Sequence, residues 1–429
     1  MWWAHAHPGF SQEGTSANSY GLTARLCKTA WNSKCVLRFR EKPGWTIPRN
    51  RDKGLAFLVE KTKGKFDMIR GMVEGRMRIA VGLSGGVDSS VAALLLKRAG
   101  HDVVGVTMRL WKEGRYKGGA RDACFGPGEA DDIATAAAFA EKIGMPHHVI
   151  DCADAYEREI VSYFREASRA GLTPNPCVIC NARIKFGLLP ELAASAGIAF
   201  DRFATGHYAR ITERGGRFAL LRAADVRKDQ SYFLYRLSQA QLARQMFPLG
   251  GMEKSEVRRL ATEAGLAAAD RPDSQDFYSG DKDELIGAAD RSGDVVTTDG
   301  RRVARHNGFW HFTVGQRKGL GLHGGEPPYY VVRIDACRNE VVVGRRDELV
   351  RTEFRVADVQ WSSLAPTVEP FQCSVKIRST GEPLGGATFE PDGAGGGVCR
   401  RAEGLVGVAP GQSAVFYDGD AVLCGGVMA

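Results

Sequence analysis

The sequence predicts an α/β protein: a doubly wound parallel-sheet domain, then a small central domain, then a C-terminal antiparallel β-barrel. Three observations lead there. From Met77 onward, strand-like and helix-like segments alternate, the pattern of parallel strands joined by crossover helices. A glycine-rich loop, Ser84-Gly85-Gly86-Val87-Asp88-Ser89, stands between the first strand and the first helix. Beyond about residue 280 glycine rises, helical periods fade and short strand-like runs are separated by turn residues, as in a small antiparallel barrel or sandwich.

The elements follow in order. Residues 78–83 read as a short buried strand, the glycine loop comes next, and the Ala/Leu-rich run 90–99 is a helix ending at Gly100. A second strand is expected at 102–108, a helix at 129–143 closed by Gly144 and Pro146, and a strand at 148–151. Helical periods run through 155–170, 184–196 and 239–246, and a strand at 202–205 leads into Gly206-His207-Tyr208. In the last part, strands are expected at 329–334, 340–343, 373–377 and 414–417. The boundaries implied are 77–279 for the α/β domain, 280–345 for the central domain and 346–429 for the barrel. Residues 1–76 form an unmatched extension without sustained period, read as a mis-assigned upstream start (Met77 or Met72 initiating), a targeting peptide or a disordered tail. The first reading is favoured, because Met77 directly precedes a strand.

Composition narrows the function classes. A chain of 429 residues accommodates two or three domains, and a net charge of +8 suits a protein that meets a polyanion. No apolar run approaches the length that crosses a bilayer, so no membrane partner is expected. The ten cysteines are thinly spread, with one close pair, Cys177 and Cys180. A secreted disulfide scaffold would be smaller and denser in cysteine, so a reducing cytoplasm is expected.

The glycine loop carries the strongest local signal. Glycines let the backbone turn sharply and bring several N–H groups onto phosphate oxygens, and a helix N-terminus adds partial positive charge. The spacing fits neither a Walker loop nor a dinucleotide fingerprint. Ser-Gly-Gly-x-Asp-Ser resembles the loop of the ATP-pyrophosphatase (PP-loop) superfamily, whose members cleave ATP between the α and β phosphates. The bland alternative is an ordinary strand–helix turn.

Further stretches resemble one branch, the bacterial tRNA-specific 2-thiouridylases of the MnmA type. They are Gly171-Leu172-Thr173-Pro174-Asn175-Pro176-Cys177-Val178-Ile179-Cys180-Asn181, Ile184-Lys185-Phe186, Ala204-Thr205-Gly206-His207-Tyr208 and Lys228-Asp229-Gln230-Ser231-Tyr232-Phe233-Leu234. Gly315-Gln316-Arg317-Lys318-Gly319-Leu320-Gly321 and the closing Pro410-Gly411-Gln412-Ser413-Ala414-Val415-Phe416-Tyr417 complete an ordered set running to the C-terminus. The resemblance implies that Gly82, Leu83, Ser84, Gly85, Gly86, Val87, Asp88, Ser89, Met108 and Gly206 bind ATP, with Mg2+ as its cation. It places Asn175, Pro176 and Cys177 near the target base and Lys228, Asp229, Gln230, Arg378 and Ser379 on the tRNA. The implied reaction adenylates the 2-carbonyl oxygen of a wobble uridine and lets sulfur displace AMP, with an upstream cysteine desulfurase or sulfur-relay protein as donor. Asp88 is assigned to catalysis, through magnesium or loop geometry. In isolation, Lys228-Asp229-Gln230 would read as a solvated turn, the basic Gly315–Gly321 loop as a surface loop and His207 as structural.

The cysteines depart from the family pattern. Cys180 matches the family's first catalytic cysteine and is the expected nucleophile. Tyr278 stands where the second is expected, at the end of Arg271-Pro272-Asp273-Ser274-Gln275-Asp276-Phe277-Tyr278, and a phenol carries no sulfane sulfur. Cys177 offers a substitute as the partner of Cys180 in a C-x-x-C pair. Cys124 could bring a third thiolate, and Cys124, Cys177 and Cys180 together would suit an iron–sulfur cluster. A redox disulfide, a zinc site with His207, and a merely buried Cys124 stay open. Two other functions compete: an amide-forming ligase sharing the phosphate loop, and a non-catalytic tRNA-binding or sulfur-carrier protein. The Thr173–Asn181 stretch and the barrel count against the first. Retention of Ser84, Asp88, Ser89 and Cys180 together counts against the second.

Overall fold

The computed structural model describes residues 75–119, 123–266, 276–278, 280–287, 291–322 and 328–429. The expectations for residues 1–74 and for 271–275 lie outside the described residues. Among the described residues, no helix is long and apolar enough to cross a membrane.

The first domain is built on a five-stranded parallel sheet, in the spatial order His147–Asp151, Asp102–Arg109, Arg78–Gly82, Arg202–Ala204, Gln245–Met246. Its central strand is apolar on both faces because both faces are covered. Ile79 and Val81 pack with Val91, Leu95 and Leu96 of the helix Val87–Arg98 and with Val257 and Leu260 of the helix Lys254–Glu263. On the other face, Ala80, Val106 and Phe203 pack with Tyr156, Ile160, Val178 and Ile184. Chain order reverses between Arg78–Gly82 and Arg202–Ala204. In a doubly wound sheet the carboxyl ends of two such strands open a crevice, and ligands bind there.

The expected helices are present with informative differences. The first begins at Val87, three residues before expectation, so Asp88 and Ser89 lie in its first turn. The expected helices at 155–170 and 184–196 contain π-helical stretches, Glu157–Val161 and Cys180–Leu188. The 239–246 run divides into a helix, Gln239–Arg244, and the edge strand Gln245–Met246. That helix opens with a capping box in which Ser238 accepts from the Gln241 N–H and the Gln241 side chain accepts from the Ser238 N–H. A hairpin, Arg210–Arg214 with Arg217–Leu221, turns at Gly215-Gly216, both at positive φ, as a tight hairpin turn requires.

The central part is a four-stranded sheet, in the order Arg302–His306, Gly293–Thr297, Glu340–Gly344, Tyr330–Asp335, over a core of Val295, Phe309, Val331, Val341 and Val343. The last part is a closed barrel. Val350–Trp361 pairs at one end with Gly397–Val406 and at the other with Ala421–Met428, while Leu384–Pro391, Phe371–Lys376 and Ser413–Asp418 complete the circuit. The handover falls at Val356, which pairs with both Gly397 and Met428, and the register with Ala421–Met428 then shifts between Ala357 and Gln360, next to Asp358 with a φ of 53°. The hairpin of the first domain adds to the outside of the barrel through Leu221 and Ala421.

Candidate active site

The phosphate loop folds upon itself. The Ser84 N–H donates to Ser89 Oγ (3.2 Å), the two serine hydroxyls lie 3.3 Å apart, and Ser89 Oγ donates to the Gly86 carbonyl (3.2 Å). Gly86 is the N-cap of Val87–Arg98, and no side chain caps that helix. Two glycines are sterically required. Gly85 has a φ of 71°, and a Cβ there would stand 2.6 Å from the Asp132 carbonyl oxygen. A Cβ on Gly206 would stand 2.6 Å from the Asp88 carbonyl carbon and the Ser89 nitrogen. Gly206 thus lets the end of the fourth strand approach the first turn of the phosphate-loop helix. Gly82 ends the first strand opposite Val106, and half-buried Met108 lies just beyond on the second. Gly82 to Ser89 and Gly206 therefore stand at the carboxyl ends of the two strands between which chain order reverses, and Met108 lies near the carboxyl end of the strand on the other side of Arg78–Gly82.

Asp88 is held firmly. Lys254 Nζ donates to both of its oxygens at 2.8 Å, and the Tyr208 hydroxyl donates to Oδ1 at 2.9 Å. The sequence reading named Tyr208 without a role and missed Lys254. The available signal was a lysine opening a helix, against the helix dipole.

Gly206 and His207 link the loop to the cysteines. His207 follows Gly206 directly, and its ring lies 5.4 Å from that of Phe186 in the π-helical stretch Cys180–Leu188. Thr205 Oγ1 meets His207 Nδ1 at 2.7 Å, and burial holds the imidazole well below its usual range, neutral, with the nearby Lys185 charge acting the same way. Asn175 stands at the N-cap position of the short helix Pro176–Ile179 without a side-chain cap hydrogen bond, and Pro176 is favourably placed in the first turn. Cys177 and Cys180 follow at a spacing of three, which puts them on one helical face. The wider π turn brings Lys185, five residues on, toward the same side.

Burial pushes the Cys180 thiol up to about 11, against the pull of the Lys185 charge, and Cys124 pushes it the same way as burial. Labelling of Cys180 by iodoacetamide is therefore expected to be slow at about pH 8 and to rise with pH toward 11. Lys185→Met should move that rise further up. A rate already at its plateau at about pH 8 would contradict the assignment.

Cys124 is exposed, on a short strand, Ala123–Phe125, that pairs in parallel with Asp276–Tyr278. Tyr278 is buried, stacks near Phe125 (6.0 Å) and donates its hydroxyl to Glu284 at 2.5 Å. It therefore anchors the Cys124 strand. Buried Tyr156 is held protonated by burial first, and then by Cys180, Cys124 and Cys177, so the three sulfurs share its neighbourhood. Among the described residues, however, no three His, Cys, Asp or Glu side chains are gathered to hold a metal ion. Lys254 and Tyr208 both donate to the Asp88 carboxylate, which favours loop geometry over magnesium as the role of that residue.

The residues expected on tRNA divide. Asp229 is buried and accepts from the Ala223 and Ser231 N–H groups (3.1 Å each) and from Ser231 Oγ (2.8 Å), with Arg222 and Lys376 beyond. Gln230 accepts from the Tyr208 N–H at 2.9 Å. These side chains turn inward and shape the loop, whereas Lys228 is half-buried and Ser379 exposed. Asn175 Nδ2 donates to Gln412 (3.4 Å), Tyr232 donates to the Ser413 carbonyl (2.9 Å) and the Thr173 N–H to the Pro410 carbonyl (2.8 Å). The closing barrel segment thus seats on the loop that carries the cysteines. Arg378 donates to the Val314 (3.1 Å) and Gly407 (3.4 Å) carbonyls, joining the Gly315 loop to the barrel. Arg378→Ala should lower stability by about 1–2 kcal/mol and weaken tRNA binding more than ATP binding. Equal loss of both in binding titrations would contradict a role on the tRNA side.

Comparison with known proteins covers all three parts. Residues 77–278 match the family model described as tRNA methyl transferase HUP domain, 285–345 the tRNA methyl transferase PRC-barrel domain, and 351–428 the Aminomethyltransferase beta-barrel domain. The tRNA-specific 2-thiouridylase MnmA of Endomicrobium trichonymphae is 42% identical over 361 residues, covering 83% of this chain and 100% of that relative. The protein of the same name from Chloroflexus aurantiacus is 44% identical over 360 residues, covering 82% and 98%. Among solved structures, the U34-tRNA thiolase NcsA from Methanococcus maripaludis with its 4Fe-4S cluster is 22% identical over 50% of this chain and 66% of that one. Its TM-score is 0.33. The model descriptions speak of methyl transfer and the relatives' names of thiolation. The relatives span this chain from the first domain to the barrel and take precedence.

Proposed function

The chain belongs to the tRNA-specific 2-thiouridylases, and from that footing we propose that it adenylates the 2-carbonyl oxygen of the wobble uridine and replaces it with sulfur. ATP enters as its magnesium complex, the cation riding on the phosphates, and the loop from Gly82 to Ser89 with Met108 and Gly206 receives it. The uridine oxygen attacks the α-phosphorus and pyrophosphate leaves into the N–H groups of the loop. This step is needed because an amide-like oxygen is a poor leaving group until it carries a phosphoryl group. Sulfur then bonds to C2 and AMP departs with the original oxygen.

Cys180 is the residue proposed to deliver the sulfur. A persulfide on Cys180, loaded from a cysteine desulfurase or relay protein, attacks C2 through its terminal sulfur. The Cys177 thiolate then attacks the Cys180 sulfur and breaks the S–S bond. The base keeps the sulfur, a Cys177–Cys180 disulfide remains, and an external thiol reduces it. No step requires iron. Asn175 and Pro176 shape the base pocket, and Lys228, Arg378 and Ser379 lie on the tRNA side.

The observation that carries this reading is the pair Gly206-His207, which touches the phosphate-loop helix on one side and the Cys180 helix on the other. Activation and sulfur delivery can therefore address one base. The test is 2-thiouridine in nucleoside digests of tRNA incubated with the protein, MgATP, a cysteine desulfurase with L-cysteine as the persulfide donor, and a thiol reductant. Product that requires ATP supports the reading. ATP cleavage with unmodified tRNA would overturn it.

A further inference from the structure

Lys254 occupies a place that a lysine ordinarily avoids. It is the first residue of the helix Lys254–Glu263, where the dipole is positive, and its side chain is only 9% exposed. A buried ammonium at a helix N-terminus is unfavourable unless something specific offsets it. Here that is Asp88, both of whose oxygens accept from Nζ at 2.8 Å, with the Tyr208 ring 5.6 Å from the ammonium. The Lys254 N–H itself donates to the buried carboxylate of Asp225 at 3.1 Å, which fixes the start of the helix.

Asp88 is the second residue of the phosphate-loop helix. A carboxylate released there would satisfy the first-turn N–H groups of its own helix, and its charge would repel a polyphosphate. Tyr208 lies two residues beyond Gly206, so the same strand end that packs on the loop also aims the Asp88 carboxylate.

We propose that Lys254 is a positioning residue of the ATP site: it draws the Asp88 carboxylate off the loop and cancels its charge, leaving the N–H groups between Ser84 and Ser89 to the pyrophosphate portion of ATP. The inference rests on the reading of this loop as the ATP site. It assigns Asp88 to loop geometry and charge, not to magnesium.

The test is calorimetric titration of the full chain with MgATP, alongside tRNA affinity as a measure of folding. Lys254→Met should weaken MgATP binding on the order of 10-fold or more with tRNA affinity kept, and Lys254→Arg should recover most of the loss. Removing the stranded charge as well, in Asp88→Asn with Lys254→Met, should restore binding relative to Lys254→Met alone, and this neutral pair remains testable where the single variant folds poorly. MgATP binding unchanged in Lys254→Met, or a double variant that binds no MgATP, would overturn the proposal. Absence of MgATP binding by the unaltered protein would overturn the ATP reading itself, and this inference with it.

Discussion

Cys180→Ala is expected to abolish tRNA thiolation, on the order of 10³-fold or more, while MgATP binding is kept. The separation follows from the geometry. Cys180 begins the π-helical stretch on one side of Gly206-His207, whereas the phosphate loop lies on the other and draws nothing from the sulfur. Removing a half-buried thiol leaves a small void, which costs little stability compared with the chemistry lost. Cys177→Ala should behave differently. If Cys177 closes the disulfide that frees the product, its loss should stall the first round at a Cys180–S–S–tRNA adduct, seen as a gel-shifted species that an external thiol resolves to 2-thiouridine. Product formed by Cys180→Ala at the unaltered rate would remove Cys180 from sulfur delivery.

Gly206→Ala should be nearly as damaging, and for a reason with no chemistry in it. The added methyl would lie 2.6 Å from the backbone of Asp88 and Ser89. Backbone atoms cannot swing aside as a side chain can, so either the strand end or the first turn of the helix must retreat. Overpacking of this kind costs about 1–3 kcal/mol of stability. The larger effect falls on ATP, because the same shift moves the first-turn N–H groups and the Asp88 carboxylate held by Tyr208. MgATP affinity should fall on the order of 10-fold or more. Gly100→Ala changes a glycine that no neighbouring atom crowds, although its φ of 95° strains any side chain. It should therefore lower stability and leave MgATP affinity intact. Normal MgATP affinity in Gly206→Ala would contradict the placement of the site.

Much of this was legible in the residues. The parallel sheet could be read because its strands are short, apolar and each followed by a helical period, and the phosphate loop because its glycines stand between the two. Other features follow from tertiary contacts that local pattern does not encode. The π-helical turns at Glu157–Val161 and Cys180–Leu188 look like ordinary helix in sequence. The strand Val350–Trp361 changes partners at Val356 and shifts register around Asp358, which breaks the alternation that would have revealed it. Asp229 and Gln230 resemble solvated turn residues and are turned inward because a buried segment, Ser231–Leu234, follows them. Lys254 was missed because its partner lies in a loop far back in the chain.

The central claim is that the uridine oxygen itself is adenylated before sulfur replaces it. The direct measurement uses tRNA labelled with 18O at the 2-oxygen of the wobble uridine, with MgATP, a cysteine desulfurase, L-cysteine, a thiol reductant and the protein, followed by mass spectrometry of the released nucleotide. The expected result is one 18O atom in AMP for each 2-thiouridine formed, with unlabelled pyrophosphate. Label found in water, with unlabelled AMP, would mean that the oxygen leaves without ever being joined to the α-phosphorus, and would contradict the mechanism.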